Sequence, residues 1–403
     1  MSKKANGSRT ASSPTERPIS VGILSRERKS YSTKRLVEAC RARGFSVRVY
    51  DTMRFSMTLD EDGPGLLYRG RALGALDAVI PRVGASITFF GTAVVRQLEQ
   101  MGVYTLSASQ AISVSRDKLR ALQTLSRHDI GFPESEFVRT NDAVLPAIAR
   151  LGGAPVVIKL LEGTQGVGVI LAESAKIAES IVETLQSARQ NVLLQRFVKE
   201  SAGRDIRAFV VGGRVVAAMR RQARDGEFRS NVHRGGTTEK VTLSPEVARI
   251  AVHAAQVMGL RVAGVDMLEG HDGPLVMEVN SSPGLEGIEG ATGVDVAGAI
   301  VDQLAEEVLF PVVDLRQRLT LERGYAVVEL TVEKGGPLAG RSLAELALRE
   351  RSVSVLSVRR RSGTIPNPTG ATVLATHDVL LCYGKQFALR DLLPRHAQKT
   401  RRT

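Results

Sequence analysis

The stretch LRVAGVDMLEGHDGPLVMEVNSSPGLEG, Leu260 to Gly287, decides how the chain is read. Two apolar runs, Val262 to Leu268 and Leu275 to Val279, flank the polar turn Glu269-Gly270-His271-Asp272-Gly273 and predict two paired strands. Asp266 interrupts the first run; Glu278 and Asn280 interrupt or end the second. Strand alternation puts Glu278 and Asn280 on one face, where Asp266 can join them from the neighbouring strand. Two carboxylates and an amide oxygen suit Mg²⁺, a hard cation that takes few protein ligands and leaves positions for phosphates. A single acid at a strand end is ordinarily solvated, but three oxygen donors inside apolar runs argue for a cation, because buried carboxylates need partners. Asn280-Ser281-Ser282-Pro283-Gly284 then turns the chain sharply away.

Upstream, PVVIKLLEGTQGVGVI (155–170) reads as a buried strand delivering Lys159, a glycine-rich hairpin with Gly163, Gly166 and Gly168, and a returning strand. Glycine lets backbone N–H groups approach phosphates, and a strand-borne lysine fixes a positive charge beside them. The hairpin lacks the Walker pattern, so it is either a flap over phosphates or a tight turn. A helix at about Ala175 to Ala188 and a strand at Val192 to Phe197 follow. Asp205 opens the strand pair 206–211 and 214–221, turned at Gly212-Gly213. Next, Arg220, Arg221, Arg224, Arg229 and Arg234 are mixed with Ser230, Asn231, Gly235 and Gly236, as expected of a loop folded around an anion. A solvated face is the alternative. Helices are expected at 244–258 and from Val294 to Val308.

The N-terminal part has a βαβ rhythm: strand Ile19 to Leu24, helix Ser32 to Arg43, strands Phe45 to Tyr50, Leu66 to Tyr68 and Ala78 to Ile80. It predicts a small doubly wound unit without a dinucleotide fingerprint. Arg82 follows a strand end, where open α/β sheets bind ligands, and is either a substrate arginine or a surface one. Ser115 is expected to cap a helix running to His128, followed by strand Glu136 to Arg139 and helix Asn141 to Leu151. Beyond 324 the pattern is strand Ala326 to Val332, helix Ser342 to Leu348, strands Val353 to Arg359 and Val379 to Tyr383, and helix Gln386 to Leu393, with no reactive cluster.

Composition is globular: 403 residues, 43% hydrophobic and 24% charged, with no run approaching the roughly 20 apolar residues of a membrane span. Residues 1–18 carry no apolar signal segment, and Cys40 and Cys382 suggest no disulfide framework, which together predict a cytoplasmic protein. The net charge of +13 is concentrated partly in the basic ends, 1–18 and 395–403, which either attract an anionic partner such as RNA or merely solubilise.

The motifs RDKL (116–119), VIKLLEGTQGVGVILAE (157–173), GRDIRAFVVGGRVVAAMRR (203–221), FRSNVHRGG (228–236) and AGVDMLEGHDGPLVMEVNSSPGLEGIE (263–289), with ILSRERKSYSTKRL (23–36) and VIPRVGASITFFGTAVVRQLE (79–99), resemble the ATP-grasp superfamily and, within it, the RimK family. The resemblance implies an α/β and α+β multidomain chain: a disordered tail 1–18, a pre-ATP-grasp α/β domain 19–106, an ATP-grasp domain 107–310, a linker 311–323, and a basic tail 395–403. Residues 324–394 resemble the TrkA-C module through GGPLAGRSLAELALRERSVSVLSVRR and THDVLLCYG, implying a small α+β regulatory domain with a small-molecule effector. The RimK resemblance implies an ATP-dependent glutamate ligase acting on the C-terminus of the sixth small-subunit ribosomal protein through an acyl phosphate, working as a homo-oligomer away from membranes. Lys118 and Lys159, with Gly163, Gly166 and Gly168, would contact ATP phosphates; Arg196 and Phe197 the adenine; Asp205, Arg229, Ser230 and Asn231 the nucleotide. Arg196 stands where the family usually has an acid. Asp266, Glu278 and Asn280 would hold two Mg²⁺ or Mn²⁺ ions, Arg229 and Arg234 would meet developing negative charge, and Arg82 and Arg207 the substrate. Alternatives are a ligase with another acceptor (a carrier protein, free polyglutamate or a dipeptide) or a non-catalytic TrkA-like regulator.

Overall fold

Leu36, Ala39 and Cys40 recur at helical spacing, so the segment after the first strand buries one stripe and keeps its charges outside. Ser30 caps it by accepting from the Thr33 N–H. A computed structural model describes residues 18–61, 63–161, 168–224, 227, 236–309, 325–360, 362–390 and 392 of the chain. Residues 1–17 and 393–403, the whole linker 311–323 and the hairpin glycines Gly163 and Gly166 lie outside these residues, as do Arg229, Ser230, Asn231 and Arg234. The described residues form two compact units, one before and one after the segment 310–324.

The first unit begins with β1 (Ser20–Leu24), α1 (Tyr31–Ala42), β2 (Ser46–Tyr50), β3 (Phe55–Asp60), β4 (Gly63–Tyr68), β5 (Arg71–Ala72), β6 (Ala78–Pro81), α2 (Thr88–Gln100) and β7 (Tyr104–Thr105). Strands β2-β1-β6-β7 make a parallel sheet in that order. Leu66 to Tyr68, expected to continue it, belongs instead to a separate antiparallel sheet β3-β4-β5, packed through Phe55 and Leu66.

Helices α3 (Ser109–Arg116) and α4 (Lys118–Arg127) follow. Ser115 does not cap. Its hydroxyl donates to Ile112 O within α3, and the break falls at Asp117, whose carboxylate accepts from the Arg120 N–H at 3.0 Å. Strands β8 (Ser135–Val138), β9 (Val156–Leu160), β10 (Val169–Ala172) and β11 (Val192–Arg196), with α5 (Val144–Arg150) and α6 (Ala175–Ser187), form an antiparallel sheet in the order β10-β9-β11-β8 with its own core around Ile148, Ile158, Val182 and Leu194.

The last layer is the sheet β14-β13-β12-β15-β16, built from β12 (Arg204–Val211), β13 (Arg214–Gln222), β14 (Thr237–Lys240), β15 (Val262–Gly270) and β16 (Gly273–Asn280). On one face Ile206, Ala208, Val210, Val265 and Met267 pack against α7 (Pro245–Val257). The other face divides. At one end Phe209, Val211, Ala217 and Val262 share a core with Val21, Ile23 and Leu36 of the N-terminal sheet and helix, and with Ile288 of α8 (Glu286–Thr292) and Ile300 of α9 (Val296–Leu309). At the other end the same face carries charge. Glu289, in α8, joins the layers: it accepts from Arg35 Nε at 3.1 Å, Tyr31 Oη at 2.9 Å and the Ala297 N–H at 2.9 Å.

In the second unit β17 (Tyr325–Thr331), β18 (Val353–Arg360), β19 (Gly363–Pro366) and β20 (Val379–Lys385) pair in the order β17-β20-β18-β19, with a short helix Gln386–Arg390. Residues 342–348 are turns, not the expected helix, because their backbone pairs outward: Leu343 N–H bonds to Thr372 O and Ala344 N–H to Gly370 O. Among the described residues no helix is long and apolar enough to cross a membrane.

Glu289→Ala removes a charge-assisted network and strands the buried Ala297 N–H, so it should cost about 2–4 kcal/mol. Urea denaturation measures this; a loss under about 0.5 kcal/mol would remove Glu289 as the link between layers.

Candidate active site

The charged end of the five-stranded sheet is built by two extra residues. In β15–β16 the pairs run Leu268–Leu275 and Met267–Val276, then Asp266–Glu278 and Gly264–Asn280, so Met277 is unopposed. In β12–β13 they run Val211–Arg214 and Val210–Val215, then Phe209–Ala217 and on to Asp205–Arg221, leaving Val216 unopposed. Each extra residue is a β-bulge that changes the phase of one strand. As a result Asp266, Glu278 and Asn280 lie on one face, together with Asp205, Arg207 and Arg221.

Asp266 is 2% exposed and bonded through both oxygens: Arg207 Nε and Nη2 each donate to it at 2.6 Å, Arg221 Nη2 lies 3.0 Å away, and Asn280 Nδ2 donates at 3.4 Å. Arg221 also donates through Nε and Nη2 to Asp205, itself 1% exposed, at 2.6 Å each. Burial pulls the Asp266 carboxyl upward, but the two guanidiniums outweigh it and hold it below its ordinary value. Arg207, expected at the substrate, is thus a partner of Asp266. Asp205, expected at the nucleotide, is sequestered by Arg221. Arg221, named in the sequence only as one of five arginines of an anion-binding loop, stands instead on β13 and bridges the two acids. Counting outward from Gly212-Gly213 places Arg220 opposite Asp205, and only the Val216 bulge substitutes Arg221.

Glu278 differs from Asp266: it is exposed and makes no hydrogen bond or ion pair among the described residues. Its charge acts on Lys159 of β9 and on Arg116 at the end of α3. Burial pushes Lys159 down to about 8, with Glu278 opposing and Lys118 adding to the fall. Lys118 Nζ donates to Leu161 O at 2.9 Å, at the root of the hairpin. The returning strand starts at Gly168, where φ is +80° and a Cβ would stand 2.7 Å from the Leu160 side chain. Arg116 donates to Val83 O at 2.7 Å, while its buried Nε has no hydrogen-bond partner.

Arg82 is no free surface arginine. It is partly buried, donates to Pro283 O at 2.7 Å and is pushed down to about 10 by burial and by Arg116. The turn after Asn280 is latched twice more from the N-terminal layer: Leu285 N–H donates to Ser32 Oγ at 3.0 Å, and Ser282 Oγ to Pro81 O at 3.5 Å. Gly264 permits the fold-back, since a Cβ there would meet the Pro283 ring at 2.8 Å. Arg196 points away, its side chain 3.5 Å from Glu134 Oε2 and its N–H bonded to Glu134 O; its backbone is engaged in the sheet. Phe197 lies just beyond the end of β11.

The residues fit the groups they were expected to hold. No three His, Cys, Asp or Glu side chains cluster among the described residues, but a hard cation beside phosphates needs only Glu278, the outer lone pairs of Asp266 and the Asn280 amide, whose oxygen and nitrogen exchange by a half-turn. Lys118, Lys159 and the unpartnered Arg116 Nε supply positive charge for polyphosphate.

Lys159 on one sheet, with Arg116 and Lys118 beside it, faces an acid–amide set on another, which is the arrangement of an ATP-grasp ligase. Family models agree: the RimK-like ATP-grasp domain matches residues 115–304, the RimK pre-ATP-grasp domain 19–112 and the TrkA-C domain 327–395. A Rhodopirellula baltica protein named "Probable alpha-L-glutamate ligase" is 59% identical over 95% of both chains. A Vibrio cholerae protein of the same name is 56% identical over 70% of this chain and 94% of its own. Among solved structures, the ATP-grasp ligase PsnB complexed with a minimal precursor superposes with a TM-score of 0.58 at 25% identity, covering 72% of this chain and 99% of its own. The RimK domain protein of Sphaerobacter thermophilus gives 0.55 at 25%, covering 71% and 99%. The chain belongs to the RimK family of ATP-dependent α-L-glutamate ligases.

Asp266, with its pKa lowered, contributes stability that is complete above its unfolded value of about 4 and lost as pH falls through the lower folded value. Arg221→Met leaves two buried acids without their bridge. It should cost about 3–5 kcal/mol at neutral pH and start acid unfolding at a higher pH, both read from denaturation curves across the acid range. Unchanged curves would remove Arg221 as the bridge.

Proposed function

We propose that this chain joins the α-amine of glutamate to a terminal carboxylate of an acceptor protein, the sixth small-subunit ribosomal protein, through an acyl phosphate. The observation that carries the reading is Glu278: an unpaired carboxylate facing Lys159 and Arg116, with Asp266 and Asn280 on the same face.

A carboxylate is a poor acyl donor because its leaving group would be oxide. Transfer of the γ-phosphoryl group from ATP to the acceptor carboxylate gives an acyl phosphate and ADP. The glutamate amine then attacks the carbonyl, loses a proton, and phosphate departs. No nucleophilic side chain is required, so positioning and charge neutralisation carry the catalysis. Lys159 and Lys118 hold the phosphates from the β9 side, and Arg116 adds a donor through its unpartnered Nε. Glu278, Asp266 and Asn280 would hold Mg²⁺ or Mn²⁺, which when bound neutralises charge on the transferring group. Arg207 and Arg221 keep Asp266 ionised and aimed. Gly163, Gly166, Gly168, Phe197, Arg229, Ser230, Asn231 and Arg234 keep the nucleotide and substrate roles that the family resemblance gives them. Arg82 acts by holding the Asn280 turn.

The TrkA-C domain adds a regulatory input that answers a small-molecule effector. Cytoplasmic residence and homo-oligomeric assembly complete this reading, and the names of the two relatives support glutamate as the added amino acid.

Intact-mass analysis of the acceptor after incubation with the chain, ATP, Mg²⁺ and glutamate tests the reaction: a ladder of glutamyl additions is expected. ADP release with glutamate but no ladder would move the search to another acceptor; neither signal would overturn the ligase reading. The control is Glu278→Gln; Asp266 is unsuitable because its loss leaves the partly buried Arg207 without its carboxylate and destabilises the fold. Glu278→Gln should lower turnover about 100-fold or more with melting unchanged. Lys159 is charged only below about pH 8, so kcat/KM for ATP should fall as pH rises through that value. In Lys159→Arg that fall should vanish; a fall unchanged by the substitution would assign the titration to another group.

A further inference from the structure

A second concentration of positive charge lies on the N-terminal layer. Arg28 stands in the loop after β1, Arg48 on β2, and Arg69 and Arg71 at the β4–β5 turn; with Val49 and Tyr68 they line an open cleft of about 440 Å³. All four arginines are exposed, and none is ion-paired among the described residues. Asp51, which follows β2, is committed elsewhere: its carboxylate accepts from the Met53 N–H at 3.1 Å and lies 3.7 Å from Arg54.

Two of these arginines are held in place. The Arg48 guanidinium lies 5.1 Å from the Tyr50 ring centre and 5.7 Å from that of Tyr68, and Arg69 lies 5.6 Å from Tyr68. Tyr68 is itself fixed, meeting Tyr50 edge-on at 5.0 Å and accepting from the Asp51 N–H at 3.3 Å. Arg69 has φ of +52° and Gly70 of +74°, as the two-residue hairpin turn between β4 and β5 requires, so the turn fixes where Arg69 and Arg71 stand. Fixed guanidiniums brought together without counter-charge favour an incoming anion. The chemistry matches spaced carboxylates, which arginine forks bind in a bidentate manner. Nucleic acid fits less well, since the Tyr rings on which bases would stack already carry guanidiniums.

The place of the cleft also counts. Leu24 pairs with Tyr50 on one side and with Pro81 on the other, so β2, β1 and β6 end in line. The cleft lies at the β2 end. Arg82, which holds the Asn280 turn through Pro283 O, lies at the β6 end. Two strand spacings, roughly 10 Å, separate these ends, about three residues of extended chain.

We propose that this cleft binds an acidic peptide, namely the glutamate tail built by the reaction proposed above, and so holds a partly modified acceptor for its next addition. The inference rests on that reading for the identity of the peptide. Anisotropy titration of the full chain with a fluorescein-labelled hexaglutamate tests it, using an Arg28→Ser/Arg71→Ser double variant. Both residues are exposed and neither belongs to the catalytic set. The wild type should bind, more weakly as salt rises, and the double variant about tenfold or more weakly. On the acceptor, the variant should make the first addition at the wild-type rate but stop at shorter ladders. Equal peptide binding by wild type and variant overturns the proposal, as does an oligouridylate of matched charge that displaces the peptide at lower concentration. Peptide bound through these arginines by a chain that adds no glutamate supports the cleft and overturns only the reading of the reaction.

Discussion

The site depends on keeping one carboxylate ionised where water does not reach it. Asp266 lies under the charged end of the sheet, and an isolated buried carboxylate would take up a proton rather than stay charged. Two guanidiniums prevent this, one from each of the two strands nearest on that side, and the second also neutralises Asp205. Two acids and two arginines thus balance in a space where neither sign could stand alone. The arrangement fixes more than charge. Arg207 is cross-strand from Asp266, and Arg221 is cross-strand from Asp205, so the quartet sets the register of three neighbouring strands at the point where chemistry is expected.

That balance explains the division of labour between the two acids of the hairpin. Asp266 is tied into the fold, whereas Glu278, directly opposite, is left with its charge uncompensated by any contact and faces the lysine and arginine of the other layers. The first is a structural residue with a ligand's geometry; the second is free to respond to what binds. Lys159 shows the complementary strain: burial lowers its affinity for a proton, and an arriving polyphosphate would restore it.

Much of this was legible in the sequence. Alternation and the polar turn predict the hairpin 262–280, which the structure has as β15 and β16. Helix ends were missed where two capping residues competed, as at Ser115 and Asp117, because the choice rests on where each side chain finds its partner. Residues 342–348 have helical composition yet turn, since their backbone groups bond to residues 370–374, a pairing local pattern does not carry. The bulges were the least visible. Without Met277, Glu278 and Asn280 would lie on the opposite face from Asp266, although alternation along β16 alone would look the same. The roles of Arg207 and Arg221 depend on similar registers, and a run of arginines in sequence does not say which of them turns inward.

The latch on the Asn280 turn separates what this chain can exchange from what it cannot. Arg82, Pro81 and Ser32 hold residues 282–285, and the N-terminal layer shares its core with the five-stranded sheet, so neither could be swapped as a cassette without rebuilding the other. The C-terminal unit is different: among the described residues it has a core of its own, from Leu330 to Leu392. Recombination can append or discard such a unit at little structural cost, in keeping with a Vibrio relative that aligns over 94% of its own length while matching only 70% of this chain. On the reading proposed above, control by the C-terminal unit would be a trait gained without altering the catalytic body.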